Sequence, residues 1–371
     1  MDIINKQELT MSKVKQIEWV NIAKGVAIIA VVLSHTEHGL NDYKMLPIES
    51  LVYGLWYVPV FFILSGFFIK EERLCKPADF IKGKMKSLYL LLLYFYIPAV
   101  LLHNVILDIG FYDTTTSYGG TYLQYYEPLT FIKKLLMACC FMGGETILGA
   151  MWFVYVLLLA LIMFSLTSYA LKTFVHKSKY EYARCIVLLL LCIASCFATK
   201  LFNLTIPRFN NVFTAMWLIY CGYILNQRIK IKYDNKWILL ISCIFVYHIA
   251  SLYGVVKLNS NKFADVITLT AGSIASLYII CFFAKKIEHN CIGKILAYCG
   301  RDSFYIMAMH FLGFKILTLV LNLFGFDFKL SSHIAPSEGN TLLTILYITA
   351  GVLFPISFIF IFRFIKSKLH K

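Results

Sequence analysis

The chain has 371 residues, of which 60% are hydrophobic and only 15% are charged. Soluble domains carry about 25% charged residues, so the composition excludes an ordinary soluble enzyme. The net charge of +15 would suit a nucleic-acid partner, but its distribution follows membrane orientation instead, and we expect no nucleic acid to bind.

Apolar segments of about twenty residues recur along the chain, each long enough to cross the hydrocarbon core of a bilayer. They predict an all-α polytopic membrane protein with about ten transmembrane helices and both termini cytosolic. In this orientation 25 of the 35 Lys and Arg residues lie in cytosolic segments or at their edges, as the positive-inside rule requires. The connections are mostly short, so residues 1–371 form one predicted domain. The predicted spans are 17–38, 50–69, 87–107, 149–171, 184–200, 211–226, 236–256, 264–284, 303–323 and 341–364.

Residues 1–16 form a predicted cytosolic tail without the features of a cleavable signal peptide. The first span, EWVNIAKGVAIIAVVLSHTEH, contains Lys24 and His35. Eleven residues of helix make about three turns and roughly 16 Å of rise, so both side chains lie on one face. Ionisable residues inside a membrane helix are functional-site candidates. The alternatives are a lysine that snorkels to the interface and an interfacial histidine bonded to a backbone carbonyl.

The second span contains Pro59, which predicts a kink. Ser65 and Gly66 are small enough to allow close helix packing or the approach of a ligand. Six basic residues follow between Lys70 and Lys86. They are either orientation signals or an anion site, and charge alone favours orientation.

The predicted outer segment 108–148 is the longest connection and is rich in Tyr, Gly and Thr. Tyrosines and small polar residues suit carbohydrate contact, and they suit an aromatic belt at the membrane interface equally well. The end of this segment, FIKKLLMACCFMGG, predicts a short amphipathic or re-entrant helix.

The ninth span begins near Asp302 and Ser303, either of which can cap a helix. Ser303 and His310 are seven residues, or about two turns, apart and therefore share a face. The cluster His35-Thr-Glu-His38 lacks the spacing of a zinc motif and has no evident third ligand, so no metal is predicted.

Four segments resemble the integral-membrane acyltransferase family 3, in the same order along the chain. The first is KG followed by VLSH, which places a basic residue at Lys24 and a histidine at His35. The second is VPVFFILSGFFI, followed by the basic pair Lys70 and Arg73. MWFVYVLLL and GRDSFYIMAMH complete the set, so the resemblance covers essentially the whole chain. Lys24 and Lys70 stand where Arg is common in the family, and Asn21 stands where many relatives have Asp.

The resemblance implies O-acylation, usually O-acetylation, of an extracytoplasmic or lipid-linked surface glycan in the bacterial cytoplasmic (inner) membrane. The co-substrate would be cytosolic acyl-CoA, with acetyl-CoA expected, and no cofactor would be permanently bound. The glycan and membrane lipid are the other expected partners. No extracytoplasmic esterase-like domain is expected, and an oligomer is left open.

The same resemblance assigns roles to individual residues. His35 would act as the base or as the acyl acceptor, and Lys24 would serve both catalysis and donor binding. The donor phosphates would contact Lys24, Lys70 and Arg73. The remaining site residues would line the passage of the donor arm (Ser65, Gly66 and Trp152) or support the site (Ser303, His310 and Glu37).

Two other functions fit part of the same pattern. A carrier or flippase for a glycan or small anion could also line its pathway with Lys24 and His35. A glycan polymerase is the weaker alternative, because it is expected to need outer arginines and Arg208 is the only one on the predicted outer side.

Overall fold

The computed structural model describes residues 18–43, 45–140, 142–202 and 209–369. The predicted tail, residues 1–16, therefore lies outside the described residues. Helices make up almost all of the regular structure. The α-helices are α1 (Glu18–Leu33), α2 (Tyr57–Phe67), α3 (Glu71–Leu74), α4 (Pro77–Lys84), α5 (Leu90–Leu101), α6 (His103–Asp108), α7 (Pro128–Cys139), α8 (Trp152–Phe174), α9 (Tyr180–Phe202), α10 (Phe209–Tyr223), α11 (Lys236–Tyr253), α12 (Val266–Ile287), α13 (Cys291–Arg301), α14 (Ser303–Leu323) and α15 (Thr341–Leu369).

Shorter elements join some of these helices. The 3-10 turns are Thr146–Met151 and Leu258–Ser260, and the π-helical turns are Ser50–Gly54, Met85–Tyr89 and Ile224–Ile229. Two antiparallel hairpins lie in the loops, and they pair β1 (Asp42–Tyr43) with β2 (Leu46–Pro47) and β3 (Ser117–Tyr118) with β4 (Thr121–Tyr122).

Eight helical segments in the described part of the chain are long and apolar enough to cross a membrane. The all-α, polytopic membrane fold predicted from the sequence is therefore confirmed. Helices α1 and α10 are described over only 16 and 15 residues, and the count of ten spans and the cytosolic termini stay predictions. The eight segments are Ser50–Phe67, Pro77–Leu101, Thr146–Phe174, Tyr180–Lys200, Lys236–Tyr253, Val266–Ile287, Ser303–Leu323 and Thr341–Lys368.

Two local features of the helices add detail to the predicted spans. The first is the break associated with Pro59: the regular helix is interrupted one turn before it, at Leu55–Trp56, and Pro59 falls in the first turn of α2. A proline is tolerated there, where a backbone N–H has no intrahelical acceptor. The second is an additional helix, α13, which residues 291–301 form between the predicted spans 264–284 and 303–323.

Contacts between connecting segments divide the molecule into two ends. At the first, which we call the basic end, residues 67–76 contact α9 and the 224–229 turn, and Trp19 at the start of α1 contacts Glu288. At the opposite, loop end, hydrogen bonds join residues 35–39 to 335–339 and Tyr118 to Ser331. Helix α1 runs from the basic end to the loop end.

Helix α1 packs most extensively against α13, and glycines allow the two backbones to touch. A Cβ added to Gly25 would lie 2.0 Å from the carbonyl oxygen of Leu296. A Cβ added to Gly300 would lie 1.8 Å from the carbonyl oxygen of Asn21. Small residues at such crossings let membrane helices approach closely, so these glycines fix where α1 meets α13.

The same arrangement joins α2 to α10. A Cβ on Gly66 would meet the Ile219 carbonyl oxygen at 2.0 Å, and one on Gly222 would meet that of Ile63 at 1.8 Å. Pairs of glycine contacts therefore fix the positions of α1, which carries Lys24, and of α2, which carries Ser65 and Gly66.

We expect Gly300→Ala to destabilise the protein by about 1–3 kcal/mol, because the new methyl group can be accommodated only if the α1 and α13 backbones separate. The thermal midpoint of the detergent-purified protein, followed by size-exclusion chromatography, would measure the loss. Gly83→Ala is the matched control, since Gly83 lies in a helix with no atom within 4 Å of an added Cβ. That variant should match or slightly exceed the wild type, as alanine favours the helix. Equal midpoints for the two variants would contradict the packing argument.

Candidate functional site

His35 lies in the turn that follows the last residue of α1. Its Nδ1 lies 2.8 Å from the carbonyl oxygen of Val31. A carbonyl oxygen only accepts hydrogen bonds, so Nδ1 carries the proton and the neutral ring keeps its lone pair on Nε2. The Ser34 hydroxyl donates to the same carbonyl oxygen at 2.7 Å. The turn therefore presents one defined tautomer, with Nε2 as the acceptor.

His35 lines a cavity of about 330 Å³ near the loop end of the molecule. Aromatic rings and a few polar groups surround the imidazole, which is the usual make-up of a small-molecule or sugar site. Of the residues predicted from the sequence, His35 and Trp152 line this cavity. The other lining residues that matter below are Glu49, Tyr53, Tyr57 and Asn259.

Hydrogen bonds orient the tyrosines of this cavity. The Tyr53 hydroxyl donates to Glu49 at 2.6 Å and lies 2.9 Å from Nε2 of His38. The Tyr57 hydroxyl is hydrogen-bonded to Ser34, next to His35. The cavity wall is thus held in place before any ligand binds.

A second imidazole lies beside the first. The rings of His35 and His310 are 5.1 Å apart between centroids. His310 is completely buried, and its Nδ1 lies 3.0 Å from the Ile306 carbonyl oxygen. Its Nε2 has no hydrogen-bond partner within the part of the chain that the structure describes. The structure therefore brings His310 to His35, although His310 does not line the cavity.

Backbone pairing fixes the turn that carries His35. The Ala335 N–H donates to the His35 carbonyl oxygen at 2.9 Å, and the Glu37 N–H donates to the Ala335 carbonyl oxygen at 3.0 Å. The Glu37 carboxylate accepts from the N–H of Glu338 at 3.3 Å. Glu37 thus fastens the 324–340 loop to the end of α1.

That loop brings a third histidine into the site. His333 stacks on Phe311 with ring centroids 4.7 Å apart, and Phe311 also contacts His35 and His310 at 4.9 and 4.3 Å. The Lys315 ammonium donates to the Leu330 carbonyl oxygen at 2.7 Å and to that of Ser332. Lys315 therefore holds the part of the loop that immediately precedes His333.

Burial lowers the pKa of His333 to about 4, and repulsion from His35 and Lys315 acts in the same direction. The ring therefore stays neutral in the folded protein at pH 7. Its Nδ1 is buried without a hydrogen-bond partner among the described residues.

A cluster of cations occupies the other end of α1. The half-buried Lys24 places its ammonium 5.9 Å from the centre of the Phe68 ring. Lys84 lies close enough to repel Lys24, and Arg73 close enough to repel Lys84. None of these three cations pairs with a carboxylate within the described ranges. Unpaired cations that repel one another form a site suited to a polyanion.

Lys70 and Arg73 are exposed at the two ends of one helical turn, where the Arg73 N–H donates to the Lys70 carbonyl oxygen at 3.1 Å. About 16 Å of helix α1 separates Lys24 from His35. The predicted residues thus form two groups, with the cations at the basic end and the histidines toward the loop end.

Other predicted site residues have different surroundings. Ser65 donates to the Phe61 carbonyl oxygen of its own helix at 2.7 Å, and Gly66 is buried against α10, where helix packing accounts for it. Ser303 begins α14, two turns before His310. The sequence predicts a cap from Asp302 or Ser303. The Asp302 side chain makes no capping hydrogen bond to α14, and its carboxylate pairs instead with Arg363 at 2.8 Å.

Sequence reasoning missed three of these residues. His333 lies in a loop without periodicity, and nothing in the sequence places it next to His35. Phe311 is one of 31 phenylalanines. Lys84 was counted with the six basic residues after the second span, but only the fold shows that it joins Lys24.

Comparisons with known proteins give one family. A family model described as an acyltransferase domain matches residues 17–363, nearly the whole chain. No curated protein matches the chain, and no solved structure does.

We expect His333→Asn to make the stability of the protein less sensitive to acid. Below pH 6.5 an unfolded histidine binds a proton, whereas His333 in the folded state does so only near pH 4. Its lowered pKa therefore costs stability progressively as the pH falls from about 6.5 to 4. Thermal midpoints at pH 7.5 and 5.0 should differ less in the variant than in the wild type. The exposed His289 supplies the control His289→Asn, and equal pH slopes for all three proteins would refute the assignment.

Proposed function

The chain belongs to the acyltransferase family that matches residues 17–363, and we propose that it moves an acyl group, acetyl above all, from acyl-CoA to a hydroxyl group of a surface or lipid-linked glycan. The observation that carries this proposal is the arrangement on α1. Helix α1 and the turn after it connect a cation cluster, which has no carboxylate partner among the described residues, to a histidine whose Nε2 is the acceptor and whose ring lines a cavity.

The cation cluster supports an acyl-CoA donor. Coenzyme A carries a pyrophosphate and a 3′-phosphate, and ammonium and guanidinium groups bind phosphates by charge-assisted hydrogen bonds. Lys24 and Lys84 would meet these phosphates inside the bundle, with Lys70 and Arg73 at its exposed edge. The positive-inside pattern supports a cytosolic location for this end in a bacterial cell, and the cytosol is where acyl-CoA is made.

The cavity around His35 supports a glycan acceptor. Rings of Tyr53, Tyr57 and Trp152 can stack on the apolar faces of a sugar, while Glu49 and Asn259 can hydrogen-bond its hydroxyl groups. The carbohydrate contacts that the sequence suggested for residues 108–148 would then be made by a different set of tyrosines.

The chemistry uses Nε2 of His35 as a general base. It takes the proton of the acceptor hydroxyl as that oxygen bonds to the thioester carbonyl carbon. The carbon–sulfur bond breaks, and the imidazolium returns the proton to the departing thiolate. The same lone pair could instead attack the thioester and form an acyl-histidine, which the acceptor would then cleave.

We expect His35→Gln to lower kcat for acetyl transfer by about 10²–10⁴-fold, the usual contribution of a general base. Transfer of labelled acetyl from acetyl-CoA to the host's surface-glycan fraction would be measured with reconstituted protein. His289→Gln, at an exposed histidine, should retain wild-type activity. Undiminished transfer by His35→Gln would remove His35 from the chemistry. Glycan movement across the vesicle without acetyl-CoA would favour a carrier instead.

We expect Lys24→Met to raise the KM for acetyl-CoA by about 10–100-fold, because a charge-assisted hydrogen bond contributes about 1.5–3 kcal/mol. Lys24→Arg keeps the charge and should stay within a few-fold of the wild type. The exposed Lys294 of α13 provides the control Lys294→Met, with an unchanged KM. An unchanged KM in Lys24→Met would exclude Lys24 from donor binding.

A further inference from the structure

Two acidic residues, Glu71 and Glu72, lie between the exposed cations Lys70 and Arg73. Glu72 is exposed, whereas the Glu71 carboxylate is held by buried partners. Glu71 accepts hydrogen bonds from the hydroxyls of Tyr180 at 2.8 Å and Tyr223 at 2.7 Å. The Arg184 guanidinium donates to the same carboxylate at 3.0 Å. Burial opposes the ionisation of Glu71, but the Tyr223 hydrogen bond and the Arg184 charge outweigh it and lower the pKa to about 2. Glu71 is therefore a carboxylate at all physiological pH values.

Arg184 is the largest fully buried side chain among the described residues. Its guanidinium pairs with Glu71 and, at 2.8 Å, with Glu181. The rings of Tyr180 and Tyr223 flank it, each with its centre 4.8 Å from the guanidinium carbon. Because a buried guanidinium without its partners is costly, Arg184 holds Glu71 firmly.

The backbone of the same turn is fastened on both sides. The Phe67 carbonyl oxygen accepts from Asn226 at 2.8 Å and Gln227 at 2.7 Å. The Leu74 carbonyl oxygen accepts from the Ser165 hydroxyl at 2.7 Å. Side chains from two other segments, the 224–229 turn and α8, thus fix the backbone of the turn that carries Lys70 and Arg73.

We propose that Glu71 and Arg184 are positioning residues for the anion site: Arg184 draws the Glu71 carboxylate inward, so that this carboxylate does not compete with the donor phosphates for Lys70 and Arg73. This inference rests on the proposed function. If Arg184 lost its charge, Glu71 would be released within reach of the neighbouring cations and would repel phosphate. The effect is electrostatic and acts on donor binding, not on the acyl transfer step.

The test compares acetyl-CoA with acetyl-dephospho-CoA, which lacks the 3′-phosphate, as donors for the reconstituted protein. Arg184→Gln should raise the KM for acetyl-CoA at least 10-fold, leave kcat within 2–3-fold, and reduce the preference for acetyl-CoA over its dephospho form. The double variant Arg184→Gln/Glu71→Gln removes the released carboxylate and should recover most of the lost affinity. Arg228→Gln, at the half-exposed arginine that also pairs with Glu181, should leave the KM unchanged.

Tyr223→Phe removes a single hydrogen bond to Glu71 and covers the case in which Arg184→Gln fails to fold. It should raise the KM for acetyl-CoA about 2–5-fold with kcat unchanged. A loss of kcat with a constant donor preference, or no recovery in the double variant, would show a merely structural role and overturn the inference. Failure of the proposed function would look different, since the wild type itself would turn over neither donor.

Discussion

The constraint on which this structure depends is the cost of placing an ammonium group and an imidazole on one helix of an apolar bundle. Isolated polar groups in such an environment are destabilising unless they find hydrogen bonds or a polar cavity. Helix α1 meets this constraint at its two ends in different ways. The His35 Nδ1–H is satisfied by the Val31 carbonyl within one turn and the rest of the ring borders a cavity. Lys24 has no carboxylate partner among the described residues and lies among other cations, an arrangement that becomes favourable once an anion joins it.

Close backbone contacts make this arrangement rigid enough to be useful. A binding or catalytic group must be held to a fraction of an ångström by elements that do not themselves move. The glycine contacts between α1 and α13 and between α2 and α10 exclude side chains from the crossings, so that helix position is set by backbone atoms. At the loop end, the parallel pairing of Thr36 with Ala335 performs the same task without a helix. The site therefore rests on backbone geometry more than on flexible side chains.

The sequence predicted what depends on composition and local spacing. Hydropathy gave a polytopic helical fold, and the eleven-residue interval placed Lys24 and His35 along one span, although the regular helix ends at Leu33 and His35 lies in the turn after it. The sequence could not predict contacts between distant segments. His333 comes to Phe311 only because a loop pairs with the end of α1, and Glu71 meets Arg184 across 113 residues of chain. The sequence also misplaced one local feature, the expected Asp302 cap, because the Asp302 carboxylate pairs with Arg363.

The distance between the two groups on α1 itself restricts the donor. About 16 Å separates Lys24 from His35, so one small molecule can reach both only if its anionic groups lie far from its reacting carbon. A compact donor such as acetyl phosphate carries both within a few bonds and would contact one group or the other. Coenzyme A thioesters join phosphates to the thioester through a long flexible arm, which matches a site divided in this way. The separation, set by 1.5 Å of rise per residue, thus supports the proposal of an acyl-CoA donor before any contact with it is considered.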